Sequence, residues 1–201
     1  MKKAAPVISA IFHPLVMPTL GLLLLLNSGT YFSLLDPAAK RAILFVMALG
    51  TLIFPVIMVP ILYYRNLVSN MEVITREERL VPQVIILILY IVTFIYFVRL
   101  PLNRAIHAYV LSVDITLFVL VVLNIRFRIS FHTAALGGIT GLIIALIYLY
   151  ETPLQLLLLL AILTAGLTGT AQLSLGEKRS VEVYTGFILG FGLVFGTLLV
   201  Y

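Results

Sequence analysis

Seven apolar stretches, each near or above the ~20 residues a helix needs to cross a bilayer's hydrocarbon core, dominate this chain. We place them near 6–28, 40–63, 80–99, 104–124, 132–150, 153–172 and 182–201. A segment inside lipid must satisfy its own backbone hydrogen bonds, which leaves helices or a closed barrel. Barrel strands alternate apolar and polar side chains, whereas Leu22 to Leu26 and Leu156 to Leu160 are unbroken leucine runs. The sequence therefore specifies an all-α, polytopic transmembrane helix bundle of six to seven spans, forming one transmembrane domain over 1–201. Charge agrees with this. Only 10% of residues are charged, against roughly a quarter in soluble domains.

The opening Met1-Lys2-Lys3 resembles the start of a signal peptide. The apolar run behind it is long, carries His13, Pro14 and Pro18, and offers no small-residue cleavage site. It reads as a retained first helix kinked by proline. Connections are short, and the longest polar one runs from Arg65 to Arg79. With seven crossings, the N-terminus and the 64–79, 125–131 and 173–181 loops share one membrane face. That face carries Lys2, Lys3, Arg65, Arg76, Arg79, Arg126, Arg128, Lys178 and Arg179, and the other only Lys40, Arg41, Arg99 and Arg104. The positive-inside rule puts the first face in the cytoplasm. The net charge of +5 suits anionic headgroups, and cations this scattered form no nucleic-acid surface. With no cysteine, disulfide and thiolate chemistry are excluded. Glycines four apart (Gly137 and Gly141, Gly186 and Gly190, Gly192 and Gly196) let helix backbones approach closely. They serve packing within the bundle, or a homo-oligomer or membrane-protein partner.

Three loops on the shared face carry polar clusters at helix starts. These are Arg76-Glu77-Glu78-Arg79 before Pro82, Arg126-Phe127-Arg128-Ile129-Ser130-Phe131-His132, and Gln172 through Glu182 with Lys178 and Arg179 inside it. Arginine offers paired donors to an anionic oxygen, and a helix N-terminus offers free N–H groups with a partial positive charge. Such a set suits a phosphate-like group, although charged loops also anchor spans at headgroups.

In order, face and spacing, the clusters resemble the type 2 phosphatidic acid phosphatase superfamily of membrane lipid phosphatases, over roughly 65–192. Its motifs read K-x-x-x-x-x-x-R-P, P-S-G-H and S-R-x-x-x-x-x-H-x-x-x-D. Ser130 and His132 match the second motif, with Arg128 two before the serine, as in a K-x-S-x-H form. Arg79 matches the first motif's arginine. Glu72 stands at its lysine, which makes Arg76 the nearer second cation. The third motif keeps its spacing but not its letters: Gln172 stands for arginine, Lys178 for the nucleophilic histidine and Glu182 for the aspartate. The resemblance implies a phosphatidic acid phosphatase-like core in a bacterial cytoplasmic (inner) membrane. It implies His132 as general acid, Lys178 and Glu182 at the nucleophile and orienting positions, and Arg76, Arg79, Arg128 and Ser130 as phosphate contacts. No cofactor or metal is implied, and many bacterial relatives work on the outer face, opposite to the cation count. Chemically, a lysine ammonium offers no lone pair at neutral pH, so headgroup binding is favoured over hydrolysis.

Three readings follow. One is a lipid phosphatase, a hydrolase of phosphorylated lipid. Another is a catalytically inactive family member, a pseudoenzyme that binds a lipid headgroup or a membrane partner. The third is a small proton-coupled transporter using His107 and Asp114, seven residues apart on the fourth span. Buried ionisable groups in membranes are costly and often functional, but these two also suit a hydrogen bond within the bundle. His13 reads as an interfacial histidine, and the three histidines share no metal-ligand spacing.

Overall fold

The computed structural model describes residues 9–64, 76–176 and 178–201, except for the side chains of Tyr63 and residues 76–79. Among the described residues there is no strand. The helices are α1 (Met17–Leu26), α2 (Pro37–Ala48), α3 (Phe54–Tyr64), α4 (Arg76–Val98), α5 (Arg104–Asn124), α6 (Phe131–Tyr150), α7 (Gln155–Ser174) and α8 (Ser180–Val200). A π-helical turn, Leu49–Ile53, joins α2 to α3. Among the described residues, six helical segments are long and apolar enough to cross a membrane, beginning with Pro37–Leu62. The protein is an all-α polytopic helix bundle embedded in a membrane.

The expected first span, a kinked helix over 6–28, is instead broken. Residues 12–16 are non-helical, and α1 has 10 residues, only ~15 Å of rise. Pro14 and Pro18 supply no backbone N–H, and each disfavours helical geometry in the residue before it. His13 sits in this break. The later helices begin where side chains satisfy the first free N–H groups. Asp36 accepts from Ala38 N at 2.8 Å, Asn103 from Ala105 N at 2.9 Å and Ser130 from Thr133 N at 3.4 Å.

The π turn has a local cause. Pro55 cannot donate to the Thr51 carbonyl four residues back, and Tyr90 of α4 donates its phenol there instead, at 3.2 Å. Gly50 lies directly against Thr93 of α4, which lets the bulged segment approach that helix.

The most intimate pair is α6 with α8. Gly137 and Gly141 of α6 lie against the backbone at Phe187 and Phe191, and Gly186 and Gly190 of α8 lie against Ser130, Thr133 and Ala134. Two of the glycine pairs noted in the sequence are therefore consumed within the bundle. Gly192 and Gly196 meet nothing within 4 Å. The main core packs Leu22, Leu25, Leu26, Phe32, Met47, Phe97, Ile106, Tyr109, Leu142 and Leu146. Most of these lie toward the end opposite the starts of α4, α6 and α8, so the bundle is solid at one end.

A methyl group at Gly190 collides with the Ala134 backbone, so Gly190→Ala must force α6 and α8 apart. We expect a loss of about 1–3 kcal/mol, read as a melting temperature lower by about 2–4 °C per kcal/mol in detergent. Gly192→Ala, whose added methyl meets nothing within 4 Å, should leave the melting temperature unchanged or raise it slightly through helix propensity, and an equal loss at the two sites would contradict this packing.

Candidate functional site

Because α4, α6 and α8 all run in one direction, their N-termini gather at one end of the bundle. There, with the α7 C-terminus and the break before α1, they surround a cavity of about 460 Å³. Its lining on α5 runs from Leu120 to Tyr109, roughly 16 Å of helix, or half the hydrocarbon core. The polar lining at the helix-start end is His13, Gln83, His132, Gln172 and Lys178, and deeper walls include Ile86, Val113, Leu117 and Ile139.

The hydroxyls deeper in the cavity are already used. Tyr109 donates to Pro18 O at 3.0 Å, Tyr90 to Thr51 O at 3.2 Å and Thr116 to Ser112 O at 2.7 Å. A hydroxyl bonded to a backbone carbonyl offers a ligand little, so the interior behaves as an apolar chamber. The cavity is amphipathic: cationic and amide-bearing at one end, oily below.

Loop 125–130 and the first turn of α6 are tied to their neighbours by a compact set of bonds. Ile129 N donates to Asn124 Oδ1 at 3.0 Å, and Ser130 N donates to Glu182 O at 3.1 Å. The Ser130 hydroxyl, fully buried, donates to Gln172 Oε1 at 2.9 Å, and Thr133 Oγ1 donates to Val183 O at 2.8 Å. The buried Gln172, its Oε1 engaged by Ser130, also lines the cavity.

The residues singled out in the sequence separate accordingly. His132 and Lys178 both line the cavity, from α6 and from the loop before α8. Ser130 stands beside it as a latch, its hydroxyl committed to Gln172. Arg128 is solvent- or headgroup-facing and does not line the cavity. Glu182 Oε2 accepts from Arg179 N at 3.1 Å and so caps α8. Arg76 and Arg79 occupy the first turn of α4, but their side chains lie outside the described residues, as do Lys2, Lys3, Arg65 and Glu72. Pro82 and Gln83 of the same helix do reach the cavity. His107 and Asp114 do not meet: His107 Nε2 lies 3.0 Å from the Phe97 carbonyl at the end of α4, while Asp114 is buried in the bundle.

Two cavity residues were not among the site candidates: Gln83, which the sequence left unremarked, and His13, which it gave as an interfacial histidine. Gln83, whose Oε1 is buried without a hydrogen-bond partner, is a polar residue inside an apolar stretch, which was signal enough. His13 is the larger omission. Its ring meets that of His132 edge-on, with centroids 5.6 Å apart and planes at 80°. Among the described residues no group of three or more His, Asp or Glu side chains could hold a metal ion.

The Ser130–Gln172 bond makes a direct prediction. Ser130→Ala and Gln172→Leu should each destabilise the protein by about 1–3 kcal/mol, because each strands a buried partner. The double variant should cost less than their sum by about 0.5–3 kcal/mol, read from melting curves of all four proteins. Strict additivity would show that the bond does not form.

No protein-family model, curated protein or solved structure matches this chain.

Proposed function

We propose that this integral membrane protein binds a lipid with a phosphorylated headgroup, as an inactive phosphatidic acid phosphatase-like protein of a bacterial cytoplasmic membrane. The observation that carries the reading is the amphipathic cavity, with His132, Lys178 and Gln172 at one end and a wall of apolar side chains and committed hydroxyls below. Lys178 supplies positive charge near the His132 imidazole, and Gln172 supplies neutral N–H donors. Hydrogen bonds from charged donors to phosphate oxygens are short and strong. The hydrocarbon chain gains about 0.8 kcal/mol per buried methylene, less whatever contact with bilayer lipid already provides. The two ends therefore select an amphiphile rather than a free phosphate.

Binding without turnover is favoured by two features. The position that carries a nucleophilic histidine in phosphatases of this type is Lys178. The carboxylate that would orient a nucleophile, Glu182, is bonded to Arg179 N. Hydrolysis is the second reading, favoured by the His132 ring facing the cavity, where it could reach a bound phosphate.

The test compares phosphatidate with diacylglycerol of the same chains, added to purified protein in detergent. Phosphatidate at a hundredfold excess over Kd should stabilise the fold by about 2.7 kcal/mol, a rise of several degrees. Lys178→Ala or His132→Ala should remove most of the difference between the two lipids, and no phosphate should be released. Phosphate release lost in His132→Ala would instead establish the hydrolase. Equal stabilisation by both lipids would refute headgroup recognition.

A further inference from the structure

The lipid-binding reading draws its polar contacts from helices of the resembling core. The segment ahead of α1 lies outside that core, yet it forms one wall of the cavity through His13, Pro14 and Leu15. We propose that His13 is a headgroup-contact residue, paired with His132 across the cavity's polar end, an inference that rests on the lipid-binding reading.

The local chain explains how His13 comes to be there. Pro14 takes residue 13 out of helical geometry, and the ring folds back over its own backbone so that Nδ1 accepts from Leu15 N at 3.3 Å. With Nδ1 an acceptor, the neutral ring must carry its proton on Nε2. Burial holds this imidazole below the usual histidine range, so near pH 7 it is a neutral ring with one N–H to give. The same segment sets the His13 ring edge-on against that of His132, with centroids 5.6 Å apart.

What faces His13 decides the kind of ligand. The His132 ring stands against it, Lys178 lines the same cavity, and that lining includes no carboxylate among the described residues. Two imidazoles and an ammonium therefore gather at one end of an apolar chamber. An anionic headgroup there accepts from the Nε2–H of His13 alongside the Lys178 charge. A wall residue that served packing alone would need only a ring.

Two substitutions separate these roles. His13→Phe keeps a ring against His132 and removes the donor, whereas His13→Gln keeps a donor and removes the ring. Affinities for phosphatidate and for diacylglycerol of matched chains are read from ligand-dependent thermal stabilisation. His13→Phe should weaken phosphatidate about tenfold, the size expected for losing one hydrogen bond to a charged group. Diacylglycerol binding should not change, and His13→Gln should recover most of the loss. Undiminished phosphatidate binding by His13→Phe, or an equal loss for both lipids, would overturn the role of His13 and leave headgroup recognition standing. If the wild-type protein does not distinguish the two lipids, it is the underlying reading that fails.

Discussion

The bond from the Ser130 hydroxyl to the Gln172 amide joins the start of α6 to the end of α7 in a place where water cannot substitute for either partner. Next to it, Ser130 N and Thr133 Oγ1 reach the carbonyls of Glu182 and Val183 on α8. Helices in a bilayer gain little from hydrophobic contact with one another, so close packing and interhelical hydrogen bonds must hold them in register. Here both operate in the same few residues, because Gly186 and Gly190 bring the α8 backbone against Ser130 and Ala134. Loosening this junction would move Gln172, His132 and Lys178 together. The polar end of the cavity depends on it.

The bundle is built differently at its two ends. Leucines, Phe32 and Phe97 pack one end, whereas the other holds the cavity, with the proline break before α1 in its wall. The π turn belongs to the same arrangement. Pro55 frees a carbonyl, Tyr90 takes it, and a phenol that would have made the chamber polar is spent on the backbone. Tyr109 and Thr116 are spent likewise. An apolar chamber with Lys178, His132 and Gln172 at one end is what the proposed binding of an amphiphile rests on.

Much of this was legible in the sequence. Unbroken leucine runs and sparse charge required helices in lipid, and the parity of the spans brought His132 and Lys178 to one side. The third polar cluster pointed to Gln172 by its spacing, although its worth lies in an amide that Ser130 aims, which no spacing reveals. Ser130 matched the motif by letter and Arg128 and Glu182 by position, and in the fold the first bonds Gln172, the second is exposed and the third caps α8. The place of His13 in the cavity was not legible, because the ring it meets, His132, lies more than a hundred residues away and its own neighbours are apolar. The pairing of His107 with Asp114 was suggested by their shared helix face. It does not occur, because the end of α4 presents a carbonyl to His107.

The account turns on one cavity receiving a lipid head first at the polar end, with the chain inside the bundle. Photo-crosslinking with phosphatidate carrying a diazirine midway along one acyl chain, followed by mass mapping of the adducts, tests this most directly. The account predicts adducts at Ile86, Val113, Leu117 and Ile139 on the cavity wall, competed by unlabelled phosphatidate. Adducts confined to outward-facing residues such as Leu156, Ile162 and Ile188, insensitive to competitor, would contradict it.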